Sequence, residues 1–298
     1  RPRSATTTTT DNNQFGANVH PGMATDSNGN YIVVWASNLQ DGSGWGIYGQ
    51  RYSADGTAQG GEFLINTTTT DSQLNPAVAM DDAGNFVVTW QSNLQDGDNY
   101  GVYAQRFNAA GVAQGGEILV NTNTTGYQGS AKIAMSASGE FVIAWLDNNQ
   151  DGDGSRGVFA QRFDASGVAQ GGEFRVNTYT ADQQQIPSIS MDDIGNFVVT
   201  WVSENQDGSN YGVYGQLYDA SGNPRGGEFQ VNTTTANSQF YSDVVMLDDG
   251  RFVVEYQSRN ADGSFEVFIP RYAADGTAIG GEIRVNTNTV SSAQQPIG

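Results

Sequence analysis

One phrase recurs five times in this chain, and its period limits the fold more than any other feature. From Trp90 to Phe107 the chain reads WQSNLQDGDNYGVYAQRF, with near copies opening at Trp35, Trp145 and Trp201 and a worn copy at Tyr256. These anchors lie 55, 55, 56 and 55 residues apart. A fixed period of this size marks a repeat architecture in which each copy is one supersecondary unit that cannot bury its own faces.

Each copy resolves into four short runs separated by turn chemistry. In the second copy these are PAVAM (Pro76 to Met80), FVVTWQS (Phe86 to Ser92), GVYAQRF (Gly101 to Phe107) and EILVNT (Glu117 to Thr122). They are rich in Val, Ile, Phe, Tyr and Thr and bounded by Gly, Asn, Asp and Ser, as strands are. No stretch holds a 3.6-residue apolar period, which argues against helices. Glycines recur between the first two runs (Gly29, Gly84, Gly139, Gly195, Gly250), where a tight hairpin requires positive φ. The second run is apolar on both faces, as expected of a strand sandwiched between neighbouring sheets. The first run carries small residues such as Gly22, Ala77 and Ser188, which suit a crowded central axis.

Four antiparallel strands per repeat predict an all-β, five-bladed β-propeller, with blades at about 21–75, 76–130, 131–186, 187–241 and 242–286. A linear stack of four-stranded sheets is the alternative. Residues 1–20 and 287–298 read as extended arms that repeat the connector between blades. A loose arm, or one that pairs with another molecule to form a homo-oligomer, follows from that duplication.

The pattern W-x-S-x-x-Q-D-G, then G-V-Y-A-Q-R-F, then G-G-E-F-x-V-N-T resembles β-propeller-type repeats of large secreted and cell-surface bacterial proteins. The resemblance spans residues 21–288. It implies a propeller-like module in an extracellular setting and no known enzyme. The fifth copy departs from the pattern: Ala261 replaces the glutamine, Glu266 the glycine and Pro270 the second glutamine.

Charge narrows the function classes. With 32 acidic residues, 12 arginines and Lys132 as the single lysine, the net charge is -19. Phosphate-directed nucleic-acid binding needs basic patches, which are absent. No run of 18 apolar residues predicts membrane insertion, and the lack of cysteine excludes disulfides and cysteine-based metal sites.

Four sets of residues are candidates for function. The QDG loops place carboxylates where calcium's oxygen ligands are wanted, best at Asp96 with Asp98 and Asp151 with Asp153. The alternative is plain Asp-Gly turn chemistry. Trp45, Tyr100 and Tyr211, with Gln40, Gln95, Gln150 and Gln206, are the types that hold sugars, and repeated weak sites gain by avidity. The alternative is ordinary loop decoration. The repeated glutamates (Glu62, Glu117, Glu173, Glu228, Glu282) are equal in every copy, which argues for architecture. Asp243 and Glu255 break the repeat symmetry and are the pair a glycosidase would use, with an ion pair between Asp243 and Lys132 as the plainer alternative. The expectation from these features is a non-enzymatic, secreted or surface-attached module for structure, adhesion or assembly. It requires no cofactor, with calcium as an optional stabiliser and a glycan as a candidate partner.

Overall fold

The computed structural model describes residues 21–151 and 154–287. These residues form strands and turns, arranged as five antiparallel sheets, each built from one repeat. Four of the sheets have four strands and the fifth has five. The sheets fit the five blades of a β-propeller. The arms, and the self-association expected of them, lie almost wholly outside the described residues.

Sheet 2 shows how the repeat builds a blade. Its strands are Gln73–Met80, Phe86–Asn93, Tyr100–Phe107 and Ile118–Leu119, paired in that order. The first strand starts earlier than its apolar run predicts, because a bulge between Leu74 and Ala77 lets it continue past Asn75. Asn75 takes φ 54° there, a region in which Asn is several-fold enriched. The last strand is shorter than EILVNT predicts. Val120 N–H still bonds the Val102 carbonyl, but Val102 N–H is taken by the Asn121 side-chain oxygen at 2.7 Å. The asparagine side chain ends the ladder by standing in for backbone. Asn66, Asn177, Asn232 and Asn286 do the same for Ile47, Val158, Val213 and Val267.

The described residues divide into two compact units, 21–145 with 161–173, and 146–151 and 154–160 with 174–287. In the first unit one face of sheet 1 (Ile32, Val34, Ala36, Ile47, Ile65) packs on the aromatic face of sheet 2 (Phe86, Trp90, Tyr103, Phe107). In the second, Val198, Val213, Leu217 and Val231 of sheet 4 pack on Val244, Met246, Phe252, Tyr256 and Tyr272 of sheet 5. Burying apolar faces at about 25 cal/mol per Å² is what makes each repeat depend on a neighbour. An aromatic pair is stacked in the same place in every sheet, with ring centroids 4.9 Å apart for Tyr31–Tyr52 and 4.7 Å for Phe252–Tyr272.

Glutamates join the sheets within each unit. Glu117 accepts from Thr67 N–H of the preceding connector, Glu173 from Thr122, Glu228 from Thr178 and Glu282 from Thr233. Four of the five repeated glutamates therefore share one structural role. The third strand of sheet 5 is broken into Phe265–Ile269 and Arg271–Tyr272 by Pro270, which has no N–H for the ladder.

Candidate functional site

The QDG aspartates are placed by a glycine and an asparagine. A Cβ on Gly157 would lie 2.8 Å from the Asp151 carboxyl carbon, and one on Gly212 2.7 Å from Asp207 Oδ2. The glycine is there to seat the carboxylate, since its backbone does not take positive φ. Asn121, Asn177 and Asn232 then donate to Asp96, Asp151 and Asp207 at 3.0–3.5 Å. Asp151 also pairs with Arg175 at 3.2 Å. Asp98 accepts from Gly126 N–H at 3.0 Å, and Asp153 lies outside the described residues. Among the described residues no three carboxylate or imidazole groups cluster as a metal site. Arg175 already supplies Asp151 with the positive charge that a cation would bring.

The amide set is engaged within its own sheets. Gln40 and Gln95 donate to Glu62 and Glu117, each at 2.7 Å, Gln206 donates to Glu228, and Gln150 donates to Asp147 at 2.9 Å. Trp45 packs half-buried against the core of the first unit. Tyr100 sits edge-on to Tyr127, with centroids 5.8 Å apart. Burial, then Tyr127 and Asp71, push its hydroxyl above the usual tyrosine pKa. Tyr211 is half-buried at the start of the third strand of sheet 4.

The symmetry-breaking carboxylates are brought together. Asp243 and Glu255 are direct cross-strand partners in sheet 5, on Gln239–Met246 and Phe252–Arg259. Facing partners on one side of a sheet have Cβ atoms about 4.5–5.5 Å apart. The same register position holds Gly22 and Val34 in sheet 1, Ala77 and Thr89 in sheet 2, and Ser188 and Thr200 in sheet 4. Partial burial first, and the Asp243 charge second, hold the Glu255 carboxyl above its ordinary value. Two neighbouring carboxyls, one of which keeps its proton to higher pH, are the elements of an acid–base pair.

Two features of this neighbourhood are not apparent from residue types. The face of sheet 5 that carries the pair is open in part: Val245, Ile283 and Val285 on it are 58%, 45% and 52% exposed, while Gln257 and Val267 are buried. Ser188, read from sequence only as a small axial residue, also donates its hydroxyl to Asp243 at 2.6 Å. The available signal was that the equivalent positions in the first two repeats, Gly22 and Ala77, carry no hydroxyl.

No family model and no curated protein matches the chain. Solved structures do. A polysaccharide lyase of family PL25, an ulvan lyase, superposes with TM-score 0.59 at 10% identity, over 92% of this chain and 71% of that one. Penicillium chrysogenum α-L-arabinanase, solved with arabinobiose, gives 0.56 at 12% identity over 89% and 80%. A thermostable family-43 glycoside hydrolase gives 0.50 at 14% over 94% and 99%. At these identities the likeness concerns the fold.

These structures correct the expectation of a non-enzymatic module. That expectation took a symmetric propeller-type repeat as evidence against catalysis, whereas these three structures of like architecture carry the names of glycan-cleaving enzymes. Near-equal sheets need only one break in symmetry to set two carboxyls side by side. Sheet 5 supplies that break at Asp243 and Glu255.

Proposed function

We propose that this chain is a secreted, glycan-cleaving enzyme built on a five-bladed propeller, with Asp243 and Glu255 as its acid–base pair. The observation that carries the reading is the facing register of these two carboxylates on a partly open sheet face. Glu255, holding its proton above the ordinary carboxyl range, protonates the glycosidic oxygen as the sugar leaves. Asp243 supplies the negative charge that an oxocarbenium-like transition state calls for, or activates the incoming water. Its Oδ1 is occupied by hydrogen bonds, while Oδ2 makes none among the described residues and is available for chemistry.

The names of the solved structures support polysaccharide as the substrate class. The test is release of reducing ends, and of unsaturated ends for a lyase, from a panel of arabinan, ulvan and other plant and algal polysaccharides. Glu255→Gln and Asp243→Asn should each lower kcat by about 100-fold or more, the usual scale of general acid–base catalysis. Full activity in both variants, or no cleavage of any polymer by the unaltered chain, overturns the proposal.

A further inference from the structure

Asp243 is not held by its own sheet alone. Ser188, on the first strand of sheet 4 and 4% exposed, donates its Oγ hydrogen to Asp243 Oδ1 at 2.6 Å. Its oxygen also accepts from Val244 N–H at 3.3 Å, and that N–H lies 3.0 Å from the same Asp243 oxygen. An O–H···O⁻ bond of this length belongs to the strong, charge-assisted class. The hydroxyl is part of a seam. Ser190 accepts from Met246 N–H at 2.9 Å, and Thr200 Oγ1 lies 3.3 Å from Ser242 Oγ. In sheets 1 and 2 the residues matching Ser188 and Ser190 are Gly22 with Ala24 and Ala77 with Ala79, which have no hydroxyl. The polar seam therefore occurs at the junction that carries Asp243, and apolar small residues occupy the matching places in the first two sheets.

We infer that Ser188 is a positioning residue, reaching from sheet 4 to hold the Asp243 carboxylate against Glu255; its role in catalysis rests on the function proposed above. Released from Ser188, the Asp243 side chain swings toward solvent and its charge acts less on Glu255. The groups facing Glu255 are few. Asp243 is the charged group acting on it. Arg271, whose register partner Val253 shares the face, is directed at the Ile279 carbonyl. Sheet 4 packs on the opposite face of sheet 5, through Val244, Met246 and Tyr256, and Ser188, which reaches Asp243 from it, is neutral.

The experiment is a carboxyl-carbon NMR titration of the full chain with Ser188→Ala, Ser188→Thr and Asp243→Asn. Ala77 occupies the matching place in sheet 2, so the fold accommodates alanine there. Ser188→Ala and Asp243→Asn should each bring the Glu255 midpoint down toward its ordinary value of 4.5, and Ser188→Thr should keep it raised. A Glu255 midpoint that falls in Asp243→Asn but stays put in Ser188→Ala overturns the role given to Ser188. In turnover, Ser188→Ala should lower kcat about tenfold with KM within about twofold, and Ser188→Thr should restore it. If Asp243→Asn and Glu255→Gln remain fully active, or no polymer is cleaved, the catalytic reading fails while the titration still decides whether Ser188 positions Asp243.

Discussion

Sheets 4 and 5 are copies of one repeat in one compact unit, yet they carry opposite consequences of burial. Val231 in sheet 4 is 2% exposed, under the aromatic face of sheet 5, and its counterpart Val285 is 52% exposed. Thr200 is fully buried, and the half-buried Glu255 stands in its place. A charge at position 200 would sit unpaired in the core at a cost of several kcal/mol. At position 255 it meets solvent, which offsets part of that cost. The repeat can hold a carboxylate pair only where the covering face is missing, so the location of the candidate site follows from packing.

The worn look of the fifth repeat also has an internal logic. In sheet 4, Gly212 seats Asp207 and Gln206 donates to Glu228. In sheet 5, Glu266 stands where the glycine would be, and Asp262 turns instead to Ser264, accepting from its N–H at 2.9 Å and its hydroxyl at 2.6 Å. Ala261 has lost the amide, and Tyr256, in place of tryptophan, donates its hydroxyl to Glu282 at 2.6 Å. The loss of the Gln206-type amide at Ala261 is thus matched by a new hydroxyl on Tyr256 that bonds the same glutamate position.

This comparison can be broken most sharply at the valines. Val231→Asp should cost about 4 kcal/mol or more, because it buries an unpaired charge, whereas Val285→Asp should stay within about 0.5 kcal/mol. Urea unfolding of both variants reads the difference, and equal losses would mean that the face of sheet 5 is covered in solution. Next in size, Asn232→Ala leaves the Val213 N–H buried without an acceptor and should cost about 1–3 kcal/mol. Asn286→Ala, at the half-exposed counterpart, should cost less. Gly212→Ala forces a Cβ onto the Asp207 carboxylate and should cost about 1–3 kcal/mol as an overpacked contact. Restoring glycine at Glu266 should be tolerated, and a thermal melt separates the two.

The smallest effect is a change in pH dependence. Glu255 is raised in the folded chain, so its contribution to stability is fully present below its ordinary value of 4.5 and is lost as pH rises through the raised value. Glu255→Thr, which gives sheet 5 the residue of sheet 4, should flatten the fall in urea midpoint across that window. A slope that persists in the variant would assign the pH dependence to another group.

Much of this was legible beforehand. The 55-residue period, the Val/Ile/Phe/Tyr runs and the turn glycines determine five antiparallel sheets, one per repeat, because strand period, turn chemistry and apolar patterning all point the same way. Gly29, Gly84, Gly195 and Gly250 do take positive φ at the predicted hairpins. The exchange of Asp243 and Glu255 for neutral residues was also visible in the repeat alignment. Their facing register followed once the first two strands of each repeat were paired.

Other features were decided by contacts between residues far apart in the chain, which a repeat pattern does not encode. Asn121 ends a strand because its side chain reaches Val102. The amide nitrogens of Gln40, Gln95 and Gln206 donate to glutamates 22 residues away, which the spacing alone does not announce. Ser188 became a partner of Asp243 because sheet 4 lies against sheet 5. Composition and period determine which faces are apolar and which turns are tight, since those are local properties of the chain. Which face stays open, and which hydroxyl meets which carboxylate, depends on how one sheet covers the next, and only the tertiary structure decided that.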